Sequence, residues 1–115
     1  MTDVAWLTVP DFADQLGTTP SEVREMLREG HLFAVRRGER QTLQIPADVL
    51  VDGEAGPEVI ATLRGTLTLL RDAGMDDAEC ADWLLAEEPE LGMTPLEALR
   101  QGRRAHVRRV AQALL

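Results

Sequence analysis

The chain has 115 residues, with twelve arginines, no lysine and twenty acidic residues, for a formal net charge of -8. That length suits one globular domain or two very small ones sharing contacts, and the acidic balance excludes a globally basic nucleic-acid binder, so any phosphate contact must come from a local patch. Two Phe, two Trp and no Tyr leave an aliphatic, Ala-rich core, which predicts a mainly α chain.

In 8-TVPDFADQLG-17, Thr8 can cap a helix, Pro10 suits its first turn and Gly17 suits its end. Val9, Phe12, Ala13 and Leu16 fall on one face. In 19-TPSEVREMLREG-30, Thr19, Pro20 and Glu22 spell a capping box, Val23, Met26 and Leu27 form the inner face, and Gly30 is the stop. Only Gly17, Thr18 and Thr19 separate the two, a connection of helix-turn-helix length.

The next stretch, 31-HLFAVRRGERQTLQI-45, reads as strand, glycine turn and strand, with Leu43 and Ile45 alternating against Thr42 and Gln44. Pro46 to Leu50 begins a further helical turn. Helix, turn, helix and hairpin in that order is a winged helix-turn-helix, predicted over residues 1–51. Its second helix would present Thr18, Thr19, Ser21, Arg24, Glu25 and Arg28 to base edges or phosphates. The wing would present Arg36, Arg37, Arg40 and Gln41 to a backbone or minor groove. Against this stand an ordinary helical hairpin, with Arg24 and Arg28 balanced by neighbouring glutamates, and an edge hairpin kept soluble by charge.

Residues 52–56, Asp-Gly-Glu-Ala-Gly, read as a linker. Pro57 is expected to open a long helix with Ile60, Leu63, Leu67 and Leu70 on one stripe, ending at 72-DAG-74. Asp76 caps a helix carrying Trp83, Leu84 and Leu85. Thr94-Pro95-Leu96-Glu97 repeats the capping-box pattern, and a last helix aligns Val107, Val110, Ala111 and Leu114. Residues 57–115 are thus predicted to form a bundle of about four helices, a surface for a protein partner or for a homodimer. Trp83, Arg104 and Arg108 are the candidates there, with a solvated polar face as the plainer reading of the arginines.

Enzymatic signals are weak. His31 and His106 lack companions at metal-ligand spacing, no glycine motif cradles phosphate, and no cofactor or catalytic residue is expected. The single Cys80 cannot make an internal disulfide. With no signal-peptide pattern and no apolar run of about 18 residues, a soluble cytoplasmic protein without a membrane segment is expected.

The segment 7-LTVPDFADQLGTTPSEVREMLREGHLFAVRRG-38 resembles the excisionase-like, MerR-type winged helix-turn-helix. With 65-GTLTLLRDAGMDDAECADWL-84 and 107-VRRVAQAL-114, the whole chain resembles small actinobacterial DNA-binding proteins that join such a module to a C-terminal helical domain of unknown role. The resemblance implies double-stranded DNA binding, in transcriptional or nucleoid regulation, through Ser21, Arg24, Arg28, Arg36, Arg37 and Arg40. A shorter likeness, 83-WLLAEEPELGMTPLEALRQG-102, is to the toxin-binding domain of certain antitoxins, and implies a protein-interaction role as the alternative.

Overall fold

Thr8 serves two elements at once. It ends strand β1 (Trp6–Thr8), and its Oγ1 accepts from Asp11 N at 3.3 Å, capping helix α1 (Val9–Leu16). The computed structural model describes residues 4–115. Helix α1 closes at Gly17, whose φ of 81° is a left-handed value that costs glycine little. Helix α2 (Pro20–Arg28) follows after the expected three residues, with Thr19 Oγ1 accepting from Glu22 N at 3.2 Å. The return bond that would complete a capping box at Thr19 is not made.

After α2 the chain runs through β2 (Val35–Arg37), a turn, and β3 (Thr42–Pro46). The three strands form an antiparallel sheet in the order β1-β3-β2, with Leu7 opposite Ile45, Trp6 opposite Pro46 and Arg36 opposite Leu43. Strand β1 is a departure from expectation, since three residues running straight into a helix cap are too few to show a period of two. One sheet face carries Ile45, fully buried in the same core as Phe12 and Val23 of the two helices. The other carries Trp6, Val35 and Arg37.

A 3-10 turn (Ala47–Val49) follows, as expected of the residues after Pro46. The expected linker is instead a second hairpin, β4 (Leu50–Gly53) with β5 (Gly56–Val59), paired from Leu50–Val59 to Gly53–Gly56. Pro57 therefore opens no helix. It sits in a two-stranded ribbon, where a strand edge tolerates a residue without an N–H. Helix α3 (Leu63–Asp72) begins six residues later, followed by α4 (Asp77–Leu85), α5 (Pro95–Arg100) and α6 (Arg104–Gln112). Among the described residues the one complete capping box is at α4, where Asp76 N donates to Glu79 Oε1 at 3.2 Å and Glu79 N donates to Asp76 Oδ1 at 2.9 Å. Leu114, expected on the inner stripe of the last helix, lies beyond its end and is 45% exposed.

Among the described residues, six α-helices and two small antiparallel sheets make a mixed α/β fold, not the mainly α one that composition suggested. The aliphatic residues that favoured helix also fill short strands, because β pairing here is decided by partners distant in sequence. Phe12, Val23, Phe33, Ile45 and Val49 join Leu63, Leu67, Leu70, Leu84, Leu96 and Val107 in one continuous buried cluster. Both halves of the chain therefore share a single core.

Polar contacts reinforce the junction. Arg71, on α3, donates to Gly30 O at 3.0 Å, to Leu32 O at 3.2 Å and to Asp77 Oδ1 at 3.0 Å, while Ala34 N donates to Asp77 Oδ2 at 3.2 Å. Arg100, at the end of α5, donates to Asp48 O at 2.8 Å and Leu50 O at 2.6 Å. A shared core predicts one cooperative unfolding event. Single-tryptophan variants Trp6→Phe and Trp83→Phe should report the same denaturant midpoint by fluorescence, although the remaining reporter lies in a different half. Leu67→Ala should lower both midpoints together, by about 2 to 5 kcal/mol of stability.

Candidate nucleic-acid interface

The turn between α1 and α2 holds Thr18 half-buried and uses Thr19 as the cap of α2. Ser21, Glu22 and Arg24 stand exposed on the first turns of α2, over the buried Val23. Arg24 makes no ion pair among the described residues. Arg28 does: it bonds to Glu25 one turn earlier on the helix surface. The Arg28 guanidinium, by hydrogen bond and by charge, holds the Glu25 carboxyl below its ordinary pKa. Two of the residues expected to meet DNA are thus paired with each other.

The three wing arginines part company as well. Adjacent residues on a strand point to opposite faces. Arg36 shares the face of Leu43 and Ile45, which packs on the helices, and its Nη1 donates to Gln41 O at 3.1 Å. That acceptor is a neutral carbonyl, so the charge of Arg36 stays uncompensated and exposed. Arg37 turns the other way and stacks over the Trp6 ring, its Cζ 4.3 Å from the centroid. This cation–π contact seats Arg37 beside Ala78, Ala81, Asp82 and Leu85 of α4. Arg40 lies in the turn itself, exposed, next to Glu39.

Gln41 has a structural job. It holds the one positive φ of a non-glycine residue among the described residues, 52°, and its N and Nε2 both donate to Gly38 O, at 3.2 and 3.0 Å. Gly38 supplies the complementary left-handed position with φ 77°. The tip is therefore a defined four-residue turn, and a defined turn sets where Arg36 and Arg40 project.

In the second half, Trp83 is half-buried against the core. Arg104 and Arg108 are exposed on α6. Arg103 is spent internally, donating to Leu91 O at 3.1 Å and lying 3.0 Å from His106 Nδ1. Cys80 is fully buried, and burial pushes its thiol up to about 11, so it stays a neutral packing group at physiological pH. No cluster of three or more potential metal ligands occurs among the described residues, and no helix there is long and apolar enough to cross a membrane.

Trp6, Arg71, Asp77 and Arg100 shape the interface without having been singled out from sequence. The carbonyls that the two arginines hold lie 39 to 52 residues away, so no local pattern marks those contacts. For Trp6 a faint signal exists, an aromatic residue just ahead of a helix cap.

Because Glu25 titrates below its ordinary value in the folded chain, its pairing stabilises the fold above that value and is lost as the pH falls through the lowered one. Carboxyl-detected NMR should show Glu25 titrating below the ordinary glutamate value, and Arg28→Ala should bring it back toward that value.

With this geometry in view, comparison with known proteins is informative. Residues 1–50 match the family described as the wHTH domain of the DNA-binding protein Rv2175c, and residues 60–115 match the Rv2175c C-terminal domain of unknown function. The DNA-binding protein Rv2175c of Mycobacterium tuberculosis (strain ATCC 25618 / H37Rv) is 35% identical over 118 residues, covering 92% of this chain and 77% of the relative. The NMR structure of Rv2175c superimposes with a TM-score of 0.80 at 35% identity, covering 99% of this chain and 83% of that one. Sequence, fold and the order of the two halves agree: the chain belongs to the Rv2175c family.

Proposed function

We propose that this protein binds double-stranded DNA through the first turns of α2 and the wing, as a transcriptional or nucleoid-associated regulator of the excisionase/MerR type. The observation that carries the reading is the set of uncompensated guanidiniums Arg24, Arg36 and Arg40 on a helix-turn-helix and its hairpin, in a chain of net charge -8. The name of the M. tuberculosis relative supports it. Thr19 and Ser21 lie where a recognition helix meets base edges, and the arginines lie where phosphates run alongside.

The sorting of the arginines sharpens the expected strength. Five phosphate contacts would give a salt slope of roughly -4 to -5, whereas the three uncompensated arginines give one nearer about -3. Glu22, Glu25 and Glu39 oppose the approach of a polyanion. One copy therefore binds weakly and loses affinity steeply with salt.

The antitoxin-like reading of residues 83–102 has less to rest on. Leu84, Leu91 and Leu96 of that pattern are buried in the chain's own core, and its Trp83 is half-buried against the same core. Little apolar surface is left there to receive a protein.

The test is a titration with mixed-sequence duplex at low salt. On a duplex of about 12 base pairs the wild type should shift the DNA with a slope of about -3, and Arg24→Ala/Arg36→Ala/Arg40→Ala should bind at least about tenfold more weakly with a slope near zero. Unchanged binding by that variant would sink the assignment. Glu25→Gln, which frees Arg28 and removes a negative charge, should tighten binding by about fivefold.

A further inference from the structure

Helices α1, α2, α4 and α5 each have a side-chain cap and an acidic residue in the first turn. Helices α3 and α6 have neither, and place Arg64 and Arg104 there instead. Positive charge at that end opposes the helix dipole. Both of these turns line the same open groove between α3 and α6, together with Gly65, Ala105 and Arg108, and with Asp72 as its one carboxylate. Arg64, Arg104 and Arg108 make no ion pair among the described residues. Three uncompensated guanidiniums facing one groove concentrate positive potential on the more acidic half of the chain, where residues 52–115 hold twelve acids against seven arginines.

The groove does not stand apart from the helix-turn-helix. Arg64, Thr68 and Asp72 also line the neighbouring depression, whose far wall is Leu27, Arg28 and Glu29 at the end of α2. Arginines therefore mark a continuous surface from α2 across α3 to α6. We infer that this arginine-lined groove of the C-terminal half holds the phosphate backbone of duplex DNA beyond the segment met by α2 and the wing. The inference rests on the DNA-binding reading above. It gives the second half of the chain a role in lengthening the DNA footprint.

Three features select a nucleic-acid backbone over an acidic protein. The surface is continuous with the helix-turn-helix. Gly65 and Ala105, among its lining residues, are small enough to let a backbone approach closely. It also lacks the aromatic anchor that dominates protein–protein recognition. Phosphate contacts of this kind position a duplex and carry no sequence information. Asp72 and Glu29 weaken the attraction and limit the number of contacts to about three.

The experiment uses the full chain and two mixed-sequence duplexes, one of about 12 base pairs, near one helical turn, and one of about 30. Wild type should prefer the longer duplex by more than the statistical gain in sites. Arg64→Ala/Arg104→Ala/Arg108→Ala should lose that extra preference, bind the long duplex at least about tenfold more weakly, and show a salt slope shallower by about 2 to 3. The corresponding triple lysine variant should keep most of the affinity, since a phosphate accepts either cation as a point charge. Wild-type slope and affinity in the alanine variant would overturn the inference while leaving the DNA-binding reading intact. Absence of duplex binding by the wild type would remove that reading itself. Sedimentation equilibrium adds the other arm: a wild-type dimer made monomeric by the alanine variant would make the groove a self-association surface and overturn the assignment to DNA.

Discussion

Arg71 holds the orientation on which the rest of the molecule depends. Its guanidinium bonds to two carbonyls in the segment after α2 and to Asp77, and Asp77 in turn accepts from Ala34 at the entrance to β2. One ion pair, 3.0 Å long, thus connects the end of the second helix, the start of the wing and the first turn of α4. A guanidinium suits this task because its donors form a planar fork that can meet several acceptors at once. Arg100 repeats the device at the other end, on the carbonyls of Asp48 and Leu50. The winged module is therefore oriented by the C-terminal half instead of hanging from a linker.

Arginine does all the cationic work in this chain, and the fold divides it in two. Arg28, Arg37, Arg71, Arg100 and Arg103 are engaged internally, with a carboxylate, an indole ring or backbone carbonyls. Arg24, Arg40, Arg64, Arg104, Arg108 and Arg109 have no such partner among the described residues, and Arg36 has only a neutral carbonyl. A net charge of -8 would lead one to expect every cation to find an acid nearby. Seven of the twelve fall in this second group, and the gathering of six of these on the α2–wing side and in the α3–α6 groove is the feature on which the proposed contact with a polyanion rests.

Reading from residues alone recovered what local physics controls. Thr8, Gly17, Thr19 and Gly30 bound their helices because caps and left-handed glycines act within a few residues. Gly38 and the alternation of Leu43 and Ile45 marked the wing for the same reason. The misreadings of the sheets concern partners distant in sequence. Strand β1 exists because β3 pairs with it, and the 50–59 hairpin replaces a linker and a helix start because each of its strands completes the other. The expected capping box at Thr19 is only half formed, since nothing nearby holds the Glu22 side chain against the backbone.

The site followed the same division. The sequence by itself determined that a helix-turn-helix and an arginine-bearing hairpin would stand next to each other, through caps, turns and periodicity. The sequence marks the wing arginines as one set, whereas the strand places Arg36 and Arg37 on opposite faces. Only the tertiary structure decided which of them would be spent. Trp6 draws Arg37 onto its ring, and the shared core brings α3 and α6 alongside α2 with Arg64, Arg104 and Arg108 left open. Charge is written residue by residue, but whether a charge is compensated depends on what folding places within a few ångströms of it.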